Sequence, residues 1–161
     1  MTRAFILSIF LVVFFGVASS VSAAEAKHLK LYTVKGDFDT VKEDLELAIT
    51  GRGLVVDHRS HIGDMLERTG KDIGATKKIY GQAMSLQFCS ADVSRRTMEA
   101  DPTNIVFCPY IVMLYTLPQS PKTVYVGYRR PLPQGSAASK AALKAVEQLL
   151  DGIVREALNL N

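Results

Sequence analysis

Hydrophobic and polar positions alternate from His28 to Lys35, with Leu29, Leu31 and Thr33 set against charged or polar neighbours until Gly36. A period of two reads as a half-buried first strand. Thr40 and Glu43 have capping-box spacing, and Asp37, Asp39, Glu43 and Asp44 crowd a helix start, where the positive dipole end favours carboxylates. Val41, Leu45, Ala48 and Ile49 then share one helical face, and Gly51 and Gly53 end it. Leu54 to Arg59 is a second strand. From Ile62 to Tyr80 the spacing of Ile62, Met65, Leu66, Thr69 and Ile73 is helical but is broken by Gly63, Gly70 and Gly74, so a short helix and an exposed turn are expected.

Met84, Leu86 and Phe88 alternate with Ser85, Gln87 and Cys89, which makes a third strand with Cys89 on the face away from the core. Ser90 or Asp92 caps a short helix through Glu99 that Pro102 ends. Ile105 to Leu117 is almost continuously apolar, as a central strand covered on both faces would be, with Pro109 implying a bulge or a late start. Pro118 and Pro121 bracket a turn before a strand at Thr123 to Tyr128. After a small-residue linker at Gly135 to Ser139, Leu143, Val146, Leu150, Ile153 and Ala157 step 3, 4, 3, 4 along a C-terminal helix. The order predicts a single α+β domain in which a mixed sheet of about five strands packs against helices.

The 161 residues have room for one such domain. Residues 1–23 stand apart: Arg3 is their only charge, Ala4 to Val17 are largely apolar, and Val21-Ser22-Ala23 are small. That is the order of a cleavable signal peptide, cut after Ala23 (with Ala24 or Ala26 as alternatives), and it is too short to span a bilayer. Four of the seven phenylalanines lie in it, so the slightly positive mean hydropathy of +0.13 is largely a leader effect. The mature domain, residues 24–161, is expected in the periplasm or outside the cell, with no membrane span after cleavage. Its mixed charge, 19 Lys+Arg against 16 Asp+Glu for the whole chain, gives no nucleic-acid footprint.

Export changes how the only two cysteines are read, since an oxidising compartment favours pairing. Cys89 closes the third strand and Cys108 falls early in the fourth. A right-handed crossover between them would set the strands side by side and bring the sulfurs near. Three chemistries fit: a structural disulfide around a loop of about 19 residues, a cycling redox pair with Arg95 and Arg96 as nearby cations, or a metal site. Asp57-His58-x-x-His61 is the second constellation. His58 and His61 could take a metal with Asp57, Asp64 or Met65 assisting, although a solvated polar turn accounts for them more simply. Beyond such an ion no cofactor is expected. There is no G-x-S-x-G elbow, H-E-x-x-H helix, P-loop or G-x-G-x-x-G. Tyr110, Tyr115, Tyr125 and Tyr128 fall at strand positions, where core packing is expected rather than a stacking platform.

These residues resemble the domain of unknown function 302 family over about Tyr32 to Pro131. The specific part is a strand ending in Cys89, a short helix, the Ala100-Asp101-Pro102 stop and an apolar strand with Cys108; Asp57-His58 resembles the family's D-H element. Where the family often has Asn-Pro after its first cysteine, this chain has Ser90-Ala91. The resemblance implies a compact domain that often forms homodimers, with no established activity. The expectation is a non-enzymatic binding or accessory domain with an unidentified small ligand. The alternatives are a thiol-disulfide protein, or a metal binder using Cys89, Cys108 and His58.

Overall fold

The computed structural model describes residues 26–160, so the expected leader lies outside the described residues. The elements come in the expected order: β1 (Leu29–Lys35), α1 (Phe38–Thr50), β2 (Val55–Ser60), α2 (Ile62–Asp72), β3 (Ala83–Cys89), α3 (Ala91–Ala100), a 3-10 turn (Pro102–Phe107), β4 (Tyr110–Leu117), β5 (Ser120–Arg129) and α4 (Ala137–Ala157). The strands form one sheet in the order β1-β5-β4-β3-β2. The α+β architecture is as expected, but every neighbouring pair is antiparallel, so the sheet is not mixed. The reason lies between Cys89 and Tyr110. A crossover would have to return at the far end of β3. Here α3 runs out and the 3-10 turn folds back along it, held where Asn104 Nδ2 donates to Thr97 O at 3.0 Å. The chain re-enters at the end it left, and Phe88 pairs with Tyr110.

α1 and α4 cover the face carrying Leu86, Phe88, Val112, Leu114 and Val126. The predicted helical stripes are the ones that are buried: Val41, Leu45, Ala48 and Ile49 on α1, and Leu143, Val146, Leu150, Ile153 and Ala157 on α4. Leu45 and Ile49 are fully enclosed, so truncating either to Ala would cost about 2–5 kcal/mol. The opposite face carries Leu31, Ile111, Met113, Tyr115 and Tyr125. The last two rings stack with centroids 4.8 Å apart, and Tyr80 tilts against Tyr115 at 5.3 Å. Of the four tyrosines expected in the core, only Tyr110 and Tyr128 are there. The sheet's alternation sends the odd-numbered pair to the other side.

Three local expectations change. α1 is capped by Asp37, whose carboxylate accepts from the backbone N–H of Asp39 (3.0 Å) and Thr40 (3.4 Å), and Thr40 lies inside the helix. Burial of Phe38 draws the helix start forward. Asp37→Ala should therefore cost about 1 kcal/mol in a urea titration. Thr40→Ala should cost much less, and the reverse ranking would return the cap to Thr40. The apolar run from Ile105 is not all strand: Ile105 and Val106 are 63% and 68% exposed in the 3-10 turn, and β4 begins only after Pro109, which is the late start that the proline implied. β5 begins at Ser120, three residues before the expected Thr123, so Pro121 lies within the strand. α2 forms as expected with an amphipathic pattern, yet none of its residues is buried.

Candidate functional site

The two cysteines come together where β3 ends and β4 begins. Cys89 is the last residue of β3 and sits opposite Val55 of the edge strand β2. Cys108 follows the 3-10 turn and precedes Pro109, to which it is joined by a cis peptide. Both thiols are half-buried and free. α3 supplies the polar lining. Ser90 caps it, accepting from Val93 N–H at 3.4 Å, and Ser94 one turn later reaches Cys108. Ser94 Oγ lies 3.9 Å from Cys108 Sγ and donates to the Tyr110 hydroxyl at 3.1 Å. The α3 stripe Ser90, Ser94 and Thr97, spaced 4 and 3, was visible in the sequence. Spacing alone gives it no role, because a polar stripe on a short helix ordinarily faces solvent.

Burial pushes the Cys89 thiol up to about 12 from an ordinary value near 9, and the neighbouring Cys108 side chain and the Asp57 carboxylate push the same way. Tyr110 is also raised, first by burial, against the hydrogen bond from Ser94. For reduced protein the sign of the linkage follows. A thiol whose folded pKa exceeds its unfolded one contributes stability that is complete below pH about 9 and is lost as pH rises towards 12. The urea midpoint of the reduced protein should fall between pH 9 and 11. Cys89 should also alkylate slowly at pH 7.5. Rapid modification there would contradict the burial of its thiol.

The chain's residues 31–157 match the family described as domain of unknown function DUF302. The chain belongs to the DUF302 family. A crystal structure of an uncharacterized conserved DUF302 protein from Bacillus stearothermophilus has the same fold, with a TM-score of 0.69 and 16% identity over 82% of this chain and 99% of that one. Among curated proteins none matches this chain.

Within this DUF302 domain the second constellation divides. Asp57 occupies the irregularity in β2 between Val56 and His58 and is close enough to act electrostatically on Cys89. His58 pairs with Gln87, two residues short of Cys89, and is exposed. His61 is exposed just before α2, with Nδ1 3.7 Å from the Asp64 carboxylate. Among the described residues, no group of three or more His, Cys, Asp or Glu side chains is placed to hold a metal ion. Arg95 and Arg96 do not serve the thiols either. They pair along α3 with Glu99 (2.7 Å) and Asp92. Among the described residues no helix is long and apolar enough to cross a membrane.

Proposed function

We propose that this DUF302 chain is an exported, non-enzymatic binding or accessory domain in which Cys89 and Cys108 close a structural disulfide. The carrying observation is the Cys89 thiol held beside Cys108 with its pKa pushed up to about 12. A thiol-disulfide enzyme needs the opposite, an attacking thiol whose pKa is lowered by cations or a helix start. The signal-peptide pattern of residues 1–23 supports export into a compartment where the pair would be oxidised. Closure transfers two electrons to a disulfide oxidant of that compartment, which is itself reduced to two thiols, and releases no other group.

Equilibration of the pair against a dithiol redox buffer tests this reading. A reduction potential below about −300 mV is expected of a structural bond. A value near −200 mV would make the pair a redox couple instead. The metal-binding rival predicts stoichiometric metal after purification and weaker binding in His58→Ala. Its weakness is the separation of His58 from the thiols along β2.

The homodimer implied by the family resemblance belongs to the same proposal. The face carrying Leu31, Ile111, Met113, Tyr115 and Tyr125 is the one that the helices α1 and α4 do not cover. Light scattering of the purified domain should give twice the chain mass, with Met113→Glu shifting it to the monomer.

A further inference from the structure

Seven residues after Lys144, α4 reaches Asp151, and Lys144, Glu147, Gln148 and Asp151 form a polar stripe at spacings of 3, 1 and 3. The stripe does not simply face bulk water. With Lys30 of β1, Tyr128 of β5 and Arg130 just after it, the stripe borders an open groove of about 510 Å3, within the size range of small-ligand sites. The floor is Tyr128, 1% exposed, whose hydroxyl donates to Asp151 Oδ1 at 3.0 Å. The Tyr32 hydroxyl donates to the same oxygen. Glu147 accepts from Arg130 Nε at 2.6 Å. Both carboxylates are thus engaged by groups of the fold.

The cations are not matched in the same way. Lys30 Nζ lies 5.4 Å from the centre of the Tyr32 ring, and neither Lys30 nor Lys144 has a carboxylate partner among the described residues. The cleft is thus bordered by three cations, Lys30, Lys144 and Arg130, and two carboxylates, of which Glu147 is paired with Arg130 and Asp151 is held by tyrosine hydroxyls, so that the balance is one positive charge. Gly152 adds a separate observation. It stands inside a 21-residue helix, where glycine is unfavourable relative to alanine. A Cβ there would meet nothing nearer than Arg52 Nη2 at 3.5 Å. Packing within the chain does not call for glycine at this position, whereas close approach of a bound molecule to the helix backbone does.

We propose that this cleft binds a small oxyanion, a carboxylate or a phosphate, between Lys30 and Lys144, with Gln148 and the cleft floor beside it. The proposal rests on the binding-domain reading only in giving it a ligand, and it does not depend on the cysteines. The probes are inorganic phosphate and malonate, titrated separately into the leader-processed protein at low ionic strength and followed by backbone amide resonances.

Saturable shifts confined to Lys30 and to residues 144–152 are expected with at least one probe, and which probe acts separates phosphate from carboxylate. Lys144→Ala and Lys30→Ala should each weaken the fitted affinity at least fivefold. Lys140→Ala, at an exposed position on the same helix, should leave it unchanged. Shifts that do not saturate, or an equal loss in Lys140→Ala, would overturn the site and leave Tyr32, Asp151 and Tyr128 as a pin between α4 and the sheet. Retention of the shifts in Cys108→Ala would show that failure of the disulfide reading does not carry this one with it.

Discussion

Replacing Gly127 with valine is expected to destabilise the domain by about 3 kcal/mol or more. Gly127 sits mid-strand in β5, paired with Leu31 on one side and Met113 on the other. A Cβ there would lie 2.4 Å from the Lys30 backbone oxygen, 3.0 Å from Met113 Cε and 3.1 Å from Leu31 Cδ1. The two side chains can rotate away. The backbone oxygen belongs to the β1–β5 ladder and cannot retreat without opening it. Domains of this size have only about 5–15 kcal/mol in hand, so the variant should unfold at a much lower urea concentration, with amide protection lost first along β1. A midpoint within error of the parent would mean that β1 does not pack as described.

The second large effect is conditional on oxidation. Under non-reducing conditions Cys108→Ala should lower stability by about 3 kcal/mol, the loop-closure value for a bridge of this span, or roughly 10 °C in Tm for a chain of this length. The fold itself should survive, because the buried faces of α1, α4 and the sheet do not involve either sulfur. With excess dithiothreitol the parent and the variant should melt close together. Complete loss of folding would show that the bridge contributes more than the chain-entropy argument allows. An unchanged midpoint without reductant would show that no bridge forms.

Much of the fold is legible in the periodicities because each buried stripe is a local pattern. Leu143 to Ala157 could only be one face of a helix, and Met84, Leu86 and Phe88 only one face of a strand. Strand direction was not legible. The apolar run through Ile105 and Val106 reads as strand by composition, and only the return of the 3-10 turn along α3 makes β4 antiparallel to β3. The cap at Asp37 was hidden for a related reason, since burial of Phe38, a tertiary effect, outweighs the local Thr40–Glu43 spacing.

The candidate site divides in the same way. Cys89 and Cys108 were expected together through a right-handed crossover; they do meet, but through an antiparallel return of the chain that the sequence pattern does not reveal. Ser94 could not be assigned to them without knowing which side of α3 faces the thiols. Tyr32 and Asp151, 119 positions apart, share a hydrogen bond that no spacing rule reaches. The histidines show the converse. His58 and His61 lie close in sequence, yet β2 ends between them and their side chains serve different surroundings.

Whether Cys89 and Cys108 are bonded, as proposed, is decided by intact mass. The chain would be expressed with its leader, recovered from the periplasm without reductant, and alkylated under denaturing conditions. The expected product is an unalkylated species cut after Ala23 and two hydrogens lighter than the dithiol. A product carrying two alkyl groups would contradict it, and a metal ion retained in the native spectrum of that same sample would transfer the pair to metal binding.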